Sequence, residues 1–149
     1  MQANQQVGQV SFSRNYPVAP EKVWRAWTDP QALSRWFAGG QVTAAEIDLR
    51  EGGRYRIAFK GEGEAHEVSG EYQEVQPHSR LVFTWAFQST PERASRISIT
   101  LKALAEGGTE MDFVHDRFFN EEARANHERG WLFFIEKLGE LLKLDTQEA

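Results

Sequence analysis

The chain has 149 residues, of which 40% are hydrophobic and 26% charged, so its length and composition fit one folded domain and exclude a largely disordered protein. A net charge of −5 argues against a broad nucleic-acid interface, and the absence of cysteine excludes disulfides and thiolate chemistry. Neither a signal peptide nor an apolar run long enough to span a bilayer is visible. We therefore expect a cytoplasmic protein with no nucleic-acid partner and no membrane insertion.

The first part of the chain predicts one strand and two short helices. Residues 9–18 alternate as a strand, and Pro17 indicates that the strand ends or bulges there. Pro20 suits the first position of a helix, and Asp29 suits the N-cap of a second helix that ends at the glycines 39–40. Leu33, Trp36 and Phe37 would form the apolar face of that second helix.

Between residues 41 and 116, hydrophobic and polar residues alternate, which indicates six more strands with one face in water. Turns are predicted at residues 52–53, 61–63, 77–79 and 107–108. The residues predicted to face inward are Ile47, Leu49, Tyr55, Ile57, Phe59, Val68, Tyr72, Leu81, Phe83, Trp85, Phe87, Ile97, Ile99, Leu101, Met111, Phe113 and His115.

A long helix is predicted over residues 121–144, with Asn120 as its N-cap. Gly130 lies inside this helix, where glycine costs about 1 kcal/mol relative to alanine, and we interpret it as a point of close approach to another element. The inward stripe of the helix would consist of Ala123, His127, Trp131, Phe134 or Ile135, Leu138, and Leu141 or Leu142.

These elements predict an α+β fold in which a curled, seven-stranded antiparallel sheet packs against the C-terminal helix. Short turns favour a meander for the last six strands. We expect residues 9–144 to form a single domain between a disordered tail, 1–8, and a C-terminal tail, 145–149.

The order of elements resembles the helix-grip fold of the START and polyketide-cyclase superfamily. Segments 19–30, 48–55, 70–72, 81–85 and 130–131 further resemble the branch named after homologues of the activator of the heat-shock-protein-90 ATPase. This resemblance implies a hollow between sheet and helix that holds a ligand. Its motifs concern the scaffold, so they identify the fold better than the activity.

Two histidines are candidates for the site. His115 shares the inward face of its strand with Phe113, and His127 shares the helix stripe with Trp131. Either imidazole could bind a ligand oxygen or act as an acid or base, or it could be structural, with His115 half exposed at a strand end. The histidine spacings fit no zinc motif, so we expect no metal and no cofactor.

Charged residues are weaker candidates for a ligand-binding or catalytic role. Arg14 and Arg117 fall on inward positions and could anchor an acidic ligand group, although such arginines more often reach into water. Asp48 and Arg50 favour a surface ion pair over a catalytic carboxylate.

Eleven aromatic residues could either line a cavity or form a solid core. They are Trp27, Trp36, Phe59, Tyr72, Phe83, Trp85, Phe87, Phe113, Phe119, Trp131 and Phe134. The predicted ligand-binding set is Trp36, Phe59, Tyr72, Trp85, Phe87, Phe113, His115, His127, Trp131 and Phe134. The two short helices and loop 88–93 would form its gate.

Three functions follow as hypotheses. The first is binding of a small hydrophobic or aromatic ligand, lipid or polyketide-like, by burial of its apolar surface. The second is a cyclase- or hydrolase-like enzyme that uses His115 with an inward arginine or Tyr72. The third, implied by the family name, is a partner that activates a chaperone ATPase, less favoured because the chain has no room for a further domain. The sequence does not decide between a monomer and a homodimer.

Overall fold

The computed structural model describes residues 8–61 and 63–147, with side chains described as far as residue 144. Its strands and helices are β1 (Val10–Tyr16), α1 (Pro20–Thr28), α2 (Pro30–Ser34), β2 (Val42–Ile47), β3 (Arg54–Gly61), β4 (Glu64–Gln76), β5 (Arg80–Phe87), β6 (Ser95–Ala103), β7 (Thr109–Asp116) and α3 (Glu121–Gln147). Short 3-10 turns, Phe37–Gly40 and Pro91–Arg93, lie in two of the connections.

The seven strands form one open antiparallel sheet in the order β1-β7-β6-β5-β4-β3-β2. From β2 to β7 each strand pairs with the next along the chain, and β1 completes the sheet beside β7. The predicted α+β fold is therefore confirmed, with its meander, its two short helices after the first strand and its long C-terminal helix.

The helices begin where the sequence predicts. Pro20 occupies the first turn of α1, and the Asp29 carboxylate accepts a hydrogen bond of 3.1 Å from the Gln31 backbone N–H at the start of α2. The Asn120 side chain accepts one of 2.8 Å from the Ala123 N–H at the start of α3. These caps supply acceptors for backbone N–H groups that have none inside the helix.

The core lies between one face of the sheet and α3. Alternate strand residues are buried there as predicted, and Ile97, Leu81 and Phe113 are each at most 2% exposed. From the helix, Trp131, Ile135, Leu138 and Leu142 cover the same face and are equally buried. Each such side chain contributes about 1.5–3 kcal/mol relative to an exposed one, so this contact fixes α3 on the sheet.

Strand β4 approaches β5 most closely at Gly70. A Cβ atom at Gly70 would lie 1.9 Å from the carbonyl oxygen of Thr84, so only glycine fits. The Tyr55 hydroxyl donates to the same oxygen at 2.6 Å. The segment 70–72 is thus a scaffold feature that shapes the sheet.

Two predictions of inward-facing residues are wrong. Leu49 is 37% exposed because β2 already ends at Ile47. Phe119 is 56% exposed and Phe118 is buried in its stead, because the left-handed backbone of Arg117, with φ of 66°, breaks the alternation after β7.

The helix α3 continues past the predicted end at Leu144 to Gln147, into the predicted tail. Of the two predicted tails, residues 1–7 and 148–149 lie outside the described residues. Within the described part of the chain, no helix combines the length and the apolar character needed to span a membrane.

Candidate functional site

A pocket of about 280 Å³ lies between the β3–β4 hairpin, β5 and the first half of α3, and it opens to solvent. Most of its lining is aromatic, and among the described residues no Asp, Glu, Lys or Arg contributes to it. The lining residues are Phe59, Gly61, His66, Trp85, Phe87, Asn126, His127, Gly130, Trp131 and Phe134. It is therefore an apolar, uncharged site with a few polar groups, as is usual for small-molecule pockets.

The wall formed by the sheet follows from strand register. Phe59 of β3 and His66 of β4 are direct partners across the hairpin, and their ring centroids lie 5.4 Å apart. Phe87 pairs with Val68 one step further along the same face, with its ring 6.2 Å from that of His66. Side chains on one face of neighbouring strands thus meet at the pocket.

The opposite wall is one stripe of α3. His127, Gly130, Trp131 and Phe134 are three and four residues apart, so they lie on one face of the helix. The ring centroids of Trp131 and Trp85 lie 5.2 Å apart, and these two rings close the inner end of the pocket.

Six of the ten predicted site residues line this pocket: Phe59, Trp85, Phe87, His127, Trp131 and Phe134. The other four, Trp36, Tyr72, Phe113 and His115, lie in the packed interior and have no place in the lining. Alternation along a strand indicates which face a residue occupies but not how deep it lies, so these four could not be separated from the others by pattern.

The interior is filled mainly by rings from the α1–α2 region. Trp27 and Trp36 lie with their ring centroids 4.7 Å apart, and Phe113 lies 4.8 Å from Trp131. The Trp36 indole donates to the Ala26 carbonyl at 2.9 Å, which fixes its orientation. The space left there is about 20 Å³, enough for one water molecule. In the described part of the chain, side chains therefore fill the centre of the hollow that the family resemblance implies, and space remains at the pocket.

His115 is held in one neutral form by its neighbours. The Trp131 indole N–H donates to His115 Nδ1 at 3.0 Å, and because indole can only donate, that nitrogen carries no proton. The proton is therefore on Nε2, which donates to Ser95 Oγ at 2.6 Å, and Ser95 donates in turn to the Trp85 carbonyl at 3.2 Å. The prediction of a half-exposed strand-end histidine is wrong, since His115 is fully buried.

His127 has the opposite tautomer. Its Nδ1–H donates to the Ala123 carbonyl at 2.7 Å, and its Nε2 accepts the Trp85 indole N–H at 3.2 Å. The two tryptophans that line the pocket thus each bind one imidazole, and the His115 and His127 rings lie 5.0 Å apart.

Burial lowers the pKa of both histidines. For His115, loss of solvation and then the proximity of His127 lower the pKa to about 2. For His127, loss of solvation lowers the pKa and the hydrogen bond to Ala123 opposes that shift. All four ring nitrogens are engaged, so neither imidazole presents a free acid or base to the pocket.

Four lining residues were missed as site residues: Gly61, His66, Asn126 and Gly130. His66 shares its strand face with Val68, and Asn126 lies one turn before Gly130 on α3, so both could have been found from spacing. Gly61 was interpreted only as a turn residue.

Gly130 does not allow a close approach to another element, contrary to expectation. A Cβ atom built at this position would have no heavy atom of the described residues within 4 Å, apart from the helix's own backbone and chain neighbours. The glycine faces the pocket, so its missing side chain leaves space there and nowhere else.

The predicted gate and charged anchors lie elsewhere. Among the described residues, the pocket lining includes no member of α1, α2 or loop 88–93. Arg14 and Arg117 are both exposed to solvent. Arg50 pairs with Asp48 at 3.0 Å on the surface, an ion pair of little energetic weight. In the part of the chain that the structure describes, no three His, Asp or Glu residues are grouped as metal ligands would be.

The sequence profile of the family described as activator of Hsp90 ATPase homolog 1-like protein matches residues 17–143, which is most of the chain. The chain belongs to this family. The family is part of the SRPBCC superfamily, so the predicted recognition is confirmed. Among curated proteins, none matches the sequence significantly.

Solved structures share the fold over nearly the whole chain. A protein from Chromobacterium violaceum is 26% identical, with a TM-score of 0.77 over 90% of this chain and 96% of its own. CalU16 from Micromonospora echinospora is 25% identical, with a TM-score of 0.70 over 94% of this chain and 79% of its own. An HSP90 activator from Plasmodium falciparum is 24% identical, with a TM-score of 0.74 over 91% and 96%, a likeness of fold alone.

Proposed function

We propose that this family member binds a small, uncharged aromatic molecule in the pocket between the β3–β4 hairpin, β5 and α3. The observation that carries the proposal is Gly130. Glycine destabilises a helix interior by about 1 kcal/mol, and no neighbouring atom requires it here. The missing side chain leaves space in the pocket that a ligand can occupy.

The lining favours an aromatic ligand over a lipid. A fatty acid or phospholipid carries a negative charge that needs a cation, and the lining formed by residues 8–61 and 63–147 includes no Lys or Arg. The volume of about 280 Å³ lies just below the ~300–1,000 Å³ typical of ligand pockets, which suits one or two fused rings better than a long acyl chain.

The polar groups suggest what the ligand carries. Asn126 lines the pocket and accepts a hydrogen bond from Arg129 through Oδ1, so its NH₂ group can donate to a ligand. His66 lies across the pocket on β4. A phenol or carbonyl oxygen at the edge of the ligand would match these two side chains.

The geometry gives less support to the enzymatic alternative. That hypothesis needs His115 with an inward arginine or Tyr72 at the ligand, whereas His115 lies behind Trp131 and both arginines face solvent. Tyr72 lies in the packed interior, where burial raises the pKa of its hydroxyl well above the ordinary value. Binding without reaction is therefore the favoured function.

A chaperone ATPase as partner remains an alternative, because the family carries that description. The solved HSP90 activator is similar to this chain only in fold, so it supplies no further support. A pull-down with the chaperone's middle domain tests it. The cytoplasmic location stays a prediction.

The proposal is tested by calorimetric titration with three probes: 1-naphthol, 2-naphthoate and dodecanoate. We expect saturable one-to-one binding of 1-naphthol and at least about tenfold weaker binding of the two anions, because their carboxylates would be buried without a partner. Gly130→Leu fills the pocket and should weaken 1-naphthol binding by about tenfold or more. The control Gly139→Ala changes a glycine of the same helix away from the pocket.

Two results would overturn the proposal. One is the absence of saturable 1-naphthol binding by the wild-type protein. The other is unchanged binding by Gly130→Leu, since a ligand in this pocket must contact the new side chain.

A further inference from the structure

Helix α3 exposes two large apolar side chains in the middle of its outer face. Leu132 is 46% exposed at the edge of the buried face, and Phe133 is 48% exposed on the side away from the buried Ile135 and Leu138. Together with Arg14 and Glu136 they line a shallow groove of about 550 Å³. Adjacent exposed residues of this size on an otherwise polar helix face mark a contact surface.

Two opposite charges flank this apolar pair. Arg129 lies one turn before Leu132 and Glu136 one turn after it, and both are exposed. Arg129 donates a hydrogen bond to Asn126, but neither residue forms an ion pair with another described side chain. The helix therefore carries a positive and a negative group two turns apart, about 10.5 Å along its axis.

We infer that this face of α3 binds the same face of a second copy of the chain, in an antiparallel two-fold arrangement. In such an interface, residue i contacts residue j of the partner and j contacts i. With the axis between positions 132 and 133, the position of Arg129 faces the partner's Glu136, and Leu132 faces the partner's Phe133.

The charges of Arg129 and Glu136 also decide the direction of the pairing. A parallel pairing would instead set Arg129 against the partner's Arg129 and Glu136 against the partner's Glu136. Repulsion between these like charges disfavours the parallel form, so the charge pattern selects the antiparallel one.

The dimer is expected to be weak. A single helix pair buries less area than the ~1,200–2,000 Å² of a standard stable interface. Association should therefore depend on protein concentration, and it should weaken with salt because the charges at its edge are screened.

Sedimentation velocity over a concentration series tests the inference with Arg129→Glu and Glu136→Arg. In a dimer of either variant, positions 129 and 136 carry the same charge and meet at two symmetry-related places. Each variant should therefore dimerise at least about tenfold more weakly than the wild type. Mixed in equal amounts, the two variants should form a heterodimer, because every facing pair is again opposite in sign. Phe133→Ala should weaken the wild-type dimer as well.

Monomeric wild-type protein at every concentration would overturn the inference. So would a wild-type dimer that either reversal leaves unchanged, since its interface would then lie on another surface, such as the edge strand β1. Circular dichroism of each variant confirms that α3 is intact.

Discussion

The imidazole of His115 shows how two neighbours determine the chemistry of one side chain. An indole N–H on Nδ1 and a serine hydroxyl on Nε2 leave one neutral tautomer. A proton added to Nδ1 would face the Trp131 N–H donor directly. The sequence placed His115 on the inward face correctly, but its partners come from β6 and α3 and no spacing along the chain connects them.

Acid should destabilise the protein through His115. The unfolded imidazole takes up a proton near pH 6.5, whereas the folded pKa is lowered to about 2. This contribution to the free energy of unfolding is fully present above pH 6.5 and is lost as the pH falls towards 2, by up to ~1.4 kcal/mol per pH unit. Urea unfolding at a series of pH values measures the slope.

Replacing His115 by glutamine should remove this slope and keep the hydrogen bonds. The amide oxygen can accept the Trp131 N–H and the amide NH₂ can donate to Ser95, without titrating. An equal acid slope in the variant and the wild type would show that His115 also titrates in the folded state.

His115→Leu is the matched comparison at neutral pH. Leucine leaves the buried Trp131 N–H without an acceptor, which costs about 1–3 kcal/mol. We therefore expect His115→Leu to be less stable than His115→Gln at pH 7, as measured by urea unfolding. Equal stability would mean that the indole finds another acceptor.

At the scale of elements, α3 combines two tasks along its length. In its second half, Ile135, Leu138 and Leu142 are fully buried against the sheet. Its first half carries the pocket stripe around Gly130. The sequence predicted the inward stripe of the helix but not the pocket, because the size of a pocket depends on which rings reach it from the other elements.

Gly130→Ala and Gly139→Ala should both stabilise the protein by about 1 kcal/mol, because alanine is the better helix former. At Gly130 the methyl group meets no atom within 4 Å, and at Gly139 it lies 3.7 Å from Tyr16, an ordinary contact. Thermal unfolding measures both, and calorimetry with 1-naphthol should show weaker binding for Gly130→Ala alone. Destabilisation by Gly130→Ala would contradict the reading of this site as open space.

The N-cap of α3 should contribute measurably as well. Asn120→Ala removes the acceptor for the Ala123 N–H and should cost about 1 kcal/mol in urea unfolding. Asn120→Asp keeps an acceptor and places a negative charge at the positive end of the helix, so it should retain wild-type stability or exceed it. Equal losses in both variants would show that the cap does not depend on an acceptor.

For the whole molecule, periodicity predicted seven strands, the helix and most buried positions. What it could not predict was the division of the interior. Trp27 and Trp36 enter the space between sheet and helix from α1 and from the residues after α2, so the centre is solid. The end between Phe59, Trp85 and Trp131 stays open.

This division predicts where a ligand changes the dynamics of the protein. Strand β5 is the middle one of the seven strands and pairs on both sides, so its amides should exchange slowest. On binding, 1-naphthol should slow hydrogen exchange in segments 59–66 and 126–134, which line the pocket, and leave α1 unchanged. Exchange followed by mass spectrometry measures this for each segment. Protection confined to α1 and α2 would place the ligand behind the gate that the sequence predicted, and the pocket described above would not be the binding site.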